Sequence, residues 1–217
     1  YFTLDRDAGF QLRHKLNLGE TFLVRSKLAV SQGEGLNRKA WSSGNSYTGR
    51  IELLPFGNFT KKGDYFASDL KREETPKLML SVTYDYNDNA KRQGGQMGNN
   101  IAGSTRDLQS IQADAHFKYR GLSFFGEYAN RVATDGDPVN DVGEVYHTGS
   151  ALNLQGGYLF KNNWELAGRY TQVDFEEATG LDNFTQYTVG FSKYVVGHNL
   201  KIQGDFGITQ EANNDDI

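Results

Sequence analysis

The sequence predicts an all-β protein, an antiparallel transmembrane β-barrel of which about ten strands are present. Three observations predict it. Apolar residues recur at every second position in segment after segment, which sends successive side chains to opposite faces of a sheet. Short and long connections alternate along the chain, as in outer-membrane barrels with tight turns at one end and long loops at the other. The 217 residues are enough for a soluble core, yet hydrophobic content is 37% and mean hydropathy is -0.63. A barrel reconciles these numbers, because its lipid face needs apolar residues only at alternate positions while the interior stays polar.

Taken in order, the alternation marks strands at 8–17, 20–32, 47–55, 76–87, 107–119, 122–132, 150–160, 164–175, 184–196 and 200–210. Most reach the roughly 9–11 residues that a tilted strand needs to cross a bilayer. In 107–119, Ile111, Ala113, Ala115, Phe117 and Tyr119 oppose Gln112, Asp114, His116 and Lys118. Val82, Tyr84, Leu154, Val189, Phe191 and Ile202 are expected to face outward, with Gln112, Asp114, Gln155 and Lys201 inward. No run approaches the ~20 apolar residues of a membrane helix.

The tight turns are Asn17-Leu18-Gly19, Arg120-Gly121, Lys161-Asn162-Asn163 and Gly197-His198-Asn199, and the long loops are 33–46, 88–106, 133–149 and 176–183. Loops 88–106 and 133–149 should share one end, with one of the long loops folding inward. The stretch 56–75 departs from the rule, being long where a turn is expected, and Asp64-Tyr65-Phe66-Ala67 reads as a strand extension. Tyr119, Tyr158, Phe160, Trp164 and Tyr194 lie beside the turns, with Phe22 and Phe124 near them, as an interfacial aromatic girdle requires. Residues 1–217 read as a single barrel domain, entered from the loop side, with the last loop (211–217) also external. The first strands and the final strand are expected to lie outside this sequence.

Parity gives a list of interior side chains. The basic ones are Arg13, Lys15, Arg25, Lys27, Arg50, Lys118, Arg131, Arg169 and Lys201. The acidic ones are Glu52, Asp85, Asp114, Glu127, Glu165 and Asp205. This wall carries a basic surplus although the whole chain has a formal charge of -4. Arg13, Arg25, Lys27 and Arg50 fall near mid-barrel on three neighbouring strands and form a basic stripe. Arginine holds a fixed charge and a planar donor fork for oxyanions, and rows of Arg and Lys favour anions in pores. The stripe therefore points to passive diffusion of small anions, and Glu at positions 25 and 27 should turn selectivity towards cations without unfolding the wall. The same mixture of charges also fits a general diffusion channel with a transverse field.

Other chemistries find little support. The chain has no cysteine, so disulfides and thiolate metal sites are excluded. His14, His116, His147 and His198 lack metal-ligand spacing, and Asp135, Asp137, Asn140 and Asp141 depart from a calcium loop, so neither metal nor cofactor is expected. Dispersed basic residues give no nucleic-acid footprint. No nucleophile elbow or triad occurs, and Gly94-Gly95 lacks a following helix, so no enzyme is expected. A barrel whose loops bind a partner and a soluble β-sandwich are the remaining alternatives.

The segment Asn163 to Ile208 reads NWELAGRYTQVDF, a short acidic loop, then FTQYTVGFSKYVVGHNLKIQGDFGI. It resembles the C-terminal region of the phosphate-selective porin O/P family. Asp5-Arg6-Asp7-Ala8-Gly9, Tyr47-Thr48-Gly49-Arg50 before Leu54-Pro55-Phe56-Gly57, and Pro76-Lys77-Leu78 are similar to that family more loosely. The resemblance implies a bacterial outer-membrane porin of about 16 strands, within the porin range. It further implies a homotrimer in contact with outer-membrane lipid, with phosphate among the small anions passed.

Overall fold

The computed structural model describes residues 2–36, 44–197 and 199–212. Their ten strands form one antiparallel sheet paired in chain order. The strands are β1 (Gly9–Leu18), β2 (Phe22–Ser31), β3 (Ser46–Leu54), β4 (Lys77–Ala90), β5 (Arg106–Tyr119), β6 (Leu122–Ala133), β7 (Gly149–Leu159), β8 (Trp164–Phe175), β9 (Asn183–Val196) and β10 (Leu200–Ala212). Every predicted strand is present, with no end moved by more than three residues. The sheet is open: β1 pairs only with β2, and β10 only with β9. A sandwich would require a second sheet, and the described residues contain one.

Cross-strand register fixes the two faces. Along β4, Met79, Ser81, Thr83, Asp85 and Asn87 are buried, while Leu80, Val82 and Tyr84 between them are exposed. The six residues expected outward and the four expected inward fall on opposite faces, as their strand partners show. The apolar face is uncovered, with Phe206 70% and Ile202 67% exposed. Burial is thus inverted relative to a soluble sheet. The polar face is the inner one, because two chain segments lie against it.

The first inner segment is the connection 56–75, which forms a 3-10 turn at Thr60–Tyr65 where a strand extension was expected. An added strand needs a free edge, and β3 and β4 are already paired on both sides. Phe59 instead packs with Leu23, Leu54 and Met79. The second segment is the stretch before β1. Phe2 reaches Ala129, Val173 and Phe175 far across the sheet, and its carbonyl accepts a hydrogen bond from Gln112 Nε2 at 2.7 Å.

Loops 88–106 and 133–149 lie at one end and the turns 120–121 and 161–163 at the other, as predicted. The loops are tied together: His147 N donates to Gln93 O at 2.7 Å, and the Ser104 amide and hydroxyl donate to Asp141 Oδ1 at 2.7 and 2.6 Å. The Ser104 hydrogen bonds hold the Asp141 carboxyl below its usual range. The acidic tip is thus engaged within the loops, with Asp135 Oδ1 accepting from Asp107 N at 2.9 Å. Of the predicted loops and turns, residues 37–43, His198 and 213–217 lie outside the described residues. At the turn end, Tyr119, Tyr158, Phe160 and Trp164 share the outer face. Tyr194 does not: it stands on the inner face two positions from Ser192, buried, donating to Glu165 Oε2 at 2.7 Å. Proximity to a turn placed it in the girdle, but strand parity decides the face.

Two glycines carry the backbone where no other residue fits. Arg120 (φ 48°) and Gly121 (φ 92°) give the β5–β6 turn the positive φ pair of a twist-matched hairpin. Gly149 opens β7 at φ 131°, and a Cβ there would overlap the Asp174 carbonyl oxygen. Gly149→Ala is therefore expected to lower stability by about 1–3 kcal/mol. Thermal unfolding followed by circular dichroism checks this; an unchanged midpoint would contradict the strained position.

Candidate functional site

The register brings all fifteen predicted interior residues to the inner face. One row runs Lys15, Arg25, Glu52, Ser81, Asp114, Glu127 across β1 to β6. The next runs Arg13, Lys27, Arg50, Thr83, Gln112. Cations therefore occupy β1–β3 and carboxylates β3–β6. Lys15 stands opposite Arg25 and Arg13 opposite Lys27, and like charges in such register repel.

The fold relieves that repulsion by turning the β2 and β3 cations towards acids. Arg25 Nε lies 2.6 Å from Glu52 Oε2, and its NH2 lies 2.6 Å from Asp64 Oδ2. Lys27 Nζ reaches Glu52 Oε1 at 2.7 Å. Arg50 donates to Glu52 Oε1 at 2.8 Å and grips Asp114 with both terminal nitrogens, at 2.7 and 3.1 Å. The bidentate geometry fixes the guanidinium plane as well as the pairing. Three cations thus meet three carboxylates, and the expected basic stripe is neutralised over most of its width. Arg13 and Lys15 are exposed and form no ion pair among the described residues; Arg13 bonds only the neighbouring Gln11 amide.

No family model, curated protein or solved structure matches the chain. The porin resemblance rests on its motifs alone, and the inner face must be read from its own geometry.

Two basic residues expected to line water do not. Lys118 is 1% exposed, and its ammonium donates to the Gly63, Phe66 and Ser68 carbonyls, each at 2.7 Å. Arg131 is also 1% exposed, donating to Ser110 Oγ at 2.9 Å with its guanidinium 5.8 Å from the Phe2 ring centre. Both are covered by the inner segments, so they anchor chain rather than face solvent. Among the acids, Asp85 is buried and accepts from Ser46 Oγ and Thr48 Oγ1 at 2.6 and 2.7 Å, and Glu165 is taken up by Tyr194. Arg169, Lys201 and Asp205 are exposed on the inner face towards the β10 edge.

Two cavities remain beside the network. One of about 560 Å³ lies towards the loop end and is bordered by Arg6, Arg13, Lys27 and Arg50 together with Asp5 and Asp7. The other, about 330 Å³, lies between the network and the inner segment, bordered by Asp64 and Glu127. Lys27, Arg50 and Gln112 border both, so the two adjoin at the centre of the sheet.

Sequence reasoning missed Asp64, Gln96 and the Phe2 segment. Asp64 had one visible signal, the irregular length of its connection. Gln96 Oε1 accepts from Asp5 N at 2.9 Å, a contact between loop and chain start that no pattern announces. In the adjoining loop, burial holds the His147 imidazole below its ordinary range and raises the Tyr146 phenol to about 12.

Proposed function

We propose that this chain forms much of the wall of an outer-membrane β-barrel channel through which small anions diffuse passively. The observation that carries the reading is the inversion of the sheet: ten strands present an exposed apolar face, and the fifteen charged side chains named above lie on the other. Soluble monomers rarely expose apolar patches beyond a few hundred Å², whereas lipid requires one. The unpaired edges of β1 and β10 call for further pairing, since long open edges invite aggregation. Closure by additional strands agrees with the 16-stranded, trimeric porin that the resemblance implies.

Anion preference is supported by Arg13, which borders the larger cavity without a carboxylate partner, and by Lys15, exposed on the same face. Phosphate is the solute that the resemblance adds. The neutralised Arg25, Lys27 and Arg50 favour a second reading, a general diffusion channel of weak selectivity. Reversal potential in a planar bilayer under a KCl gradient separates the two. A potential of chloride-preferring sign is expected; a value near zero selects the general channel, and absence of conductance rejects both.

A further inference from the structure

We propose that the outer face of the β5–β6 hairpin holds an anionic phospholipid, with its phosphate at the turn-side rim and an acyl chain in the groove above. The inference rests on the membrane-barrel reading and names a site within it. A cavity of about 630 Å³ crosses the outer face, floored by Ala113, Ala115 and Gly126 and walled by Val82, Phe124 and Leu154. Its floor belongs to β5 and β6, the strands joined by Arg120-Gly121. From Tyr119 to Ala113 the chain climbs six residues, roughly 20 Å at 3.3 Å each. With the tilt of a barrel strand this is about half of a 30 Å hydrocarbon layer, the depth that one acyl chain occupies.

The rim supplies the headgroup chemistry. The Arg120 guanidinium stands 5.1 Å from the Tyr119 ring centre, and Lys193 Nζ stands 5.4 Å from that of Trp164. Lys161 is exposed on the next hairpin, which is tied to the first by Leu159 N donating to Gly121 O at 2.8 Å. Arg120 and Lys161 form no ion pair among the described residues. Cations beside interfacial aromatics match a phosphate at the membrane surface. The same charges disfavour a second copy of this chain as occupant, since a symmetric contact would bring one cationic rim against another.

The full chain in detergent, exposed to equal phosphatidylglycerol and phosphatidylcholine, is read by native mass spectrometry. Retention of phosphatidylglycerol is expected to exceed phosphatidylcholine about tenfold. Arg120→Gln with Lys161→Gln should abolish the preference while leaving some of both lipids bound. Ala115→Leu, which fills the groove on an exposed face, should lower retention of both. Equal retention by the unmodified chain, or a preference indifferent to both variants, overturns the site. So does a change of oligomeric state by Ala115→Leu with lipid retention unaltered, which would make the groove a contact between copies. Flotation with liposomes keeps the two readings apart: a chain that floats without lipid preference loses the site alone, and one that does not float loses the barrel reading with it.

Discussion

Replacing Lys118 with methionine is expected to loosen the middle of the 56–75 segment on the inner face while the ten strands stay paired. Methionine keeps most of the volume but no donor, so the carbonyls of Gly63, Phe66 and Ser68 would lose their charged donor, Gly63 O keeping only the weaker bond from Phe66 N at 3.2 Å. Hydrogen bonds to a charged group contribute about 1.5–3 kcal/mol each, and orphaned buried acceptors cost a similar amount. The loss falls on the middle of the segment, because its two ends keep other ties. On one side these are Phe59 in its apolar cluster and Asp64 on Arg25. On the other, the Asp69 carboxylate accepts from Gly121 N at 2.7 Å, and Arg72 donates to the Leu159 and Phe160 carbonyls at 2.7 and 2.6 Å. Hydrogen exchange should show amides at 63–68 losing protection by about a hundredfold, roughly 3 kcal/mol, with strand amides unchanged. A segment as protected as in the unmodified chain would mean that Lys118 merely fills space.

The fold was legible because strand parity is a local property. Each strand repeats every two residues whatever it pairs with, so Leu80, Val82 and Tyr84 could be assigned a face before their neighbours were known. A meander with tight turns then leaves only one pairing order, and the turns at Arg120 and Lys161 mark it. The same parity assigned the fifteen charged residues to one face correctly. It could not give depth or cover. Lys118 and Lys15 have equal parity, yet one is sealed under carbonyls from residues 63–68 and the other stands open. That difference comes from chain fifty or more residues away with no periodicity of its own. Phe2, packed on Ala129 and Phe175, is a still longer connection, fixed by tertiary contacts alone. Parity also hid the neutralisation of the stripe, because Asp64, one of its three counter-charges, lies in an irregular connection.

Charge reversal at Arg13 and Lys15 is expected to shift ion selectivity, whereas the same change at Arg25 and Lys27 should chiefly destabilise the wall. The two pairs face each other in register, so they sit at the same height on the inner face. They differ in their partners. Arg25 and Lys27 serve Glu52 and Asp64, whose side chains are only 4% and 6% exposed. Glutamate at both positions removes those cations and adds two anions beside buried carboxylates, a loss of about 3–5 kcal/mol or more. The sequence alone had suggested that this substitution would leave the wall intact. Arg13 and Lys15 have no such obligation, so Arg13→Glu with Lys15→Glu should keep the thermal midpoint within a few degrees. On the channel reading their charges act in a lumen bounded by low-dielectric walls, where a reversal of four charge units alters ion concentrations strongly. Under a KCl gradient at low salt the reversal potential should move towards cation preference, changing the permeability ratio by about tenfold. At 1 M salt, where the Debye length is about 3 Å, most of that shift should vanish. An unmoved potential at low salt in the folded Arg13→Glu, Lys15→Glu protein would place these two side chains away from the ion path. The general diffusion channel would then be the better account of the inner face.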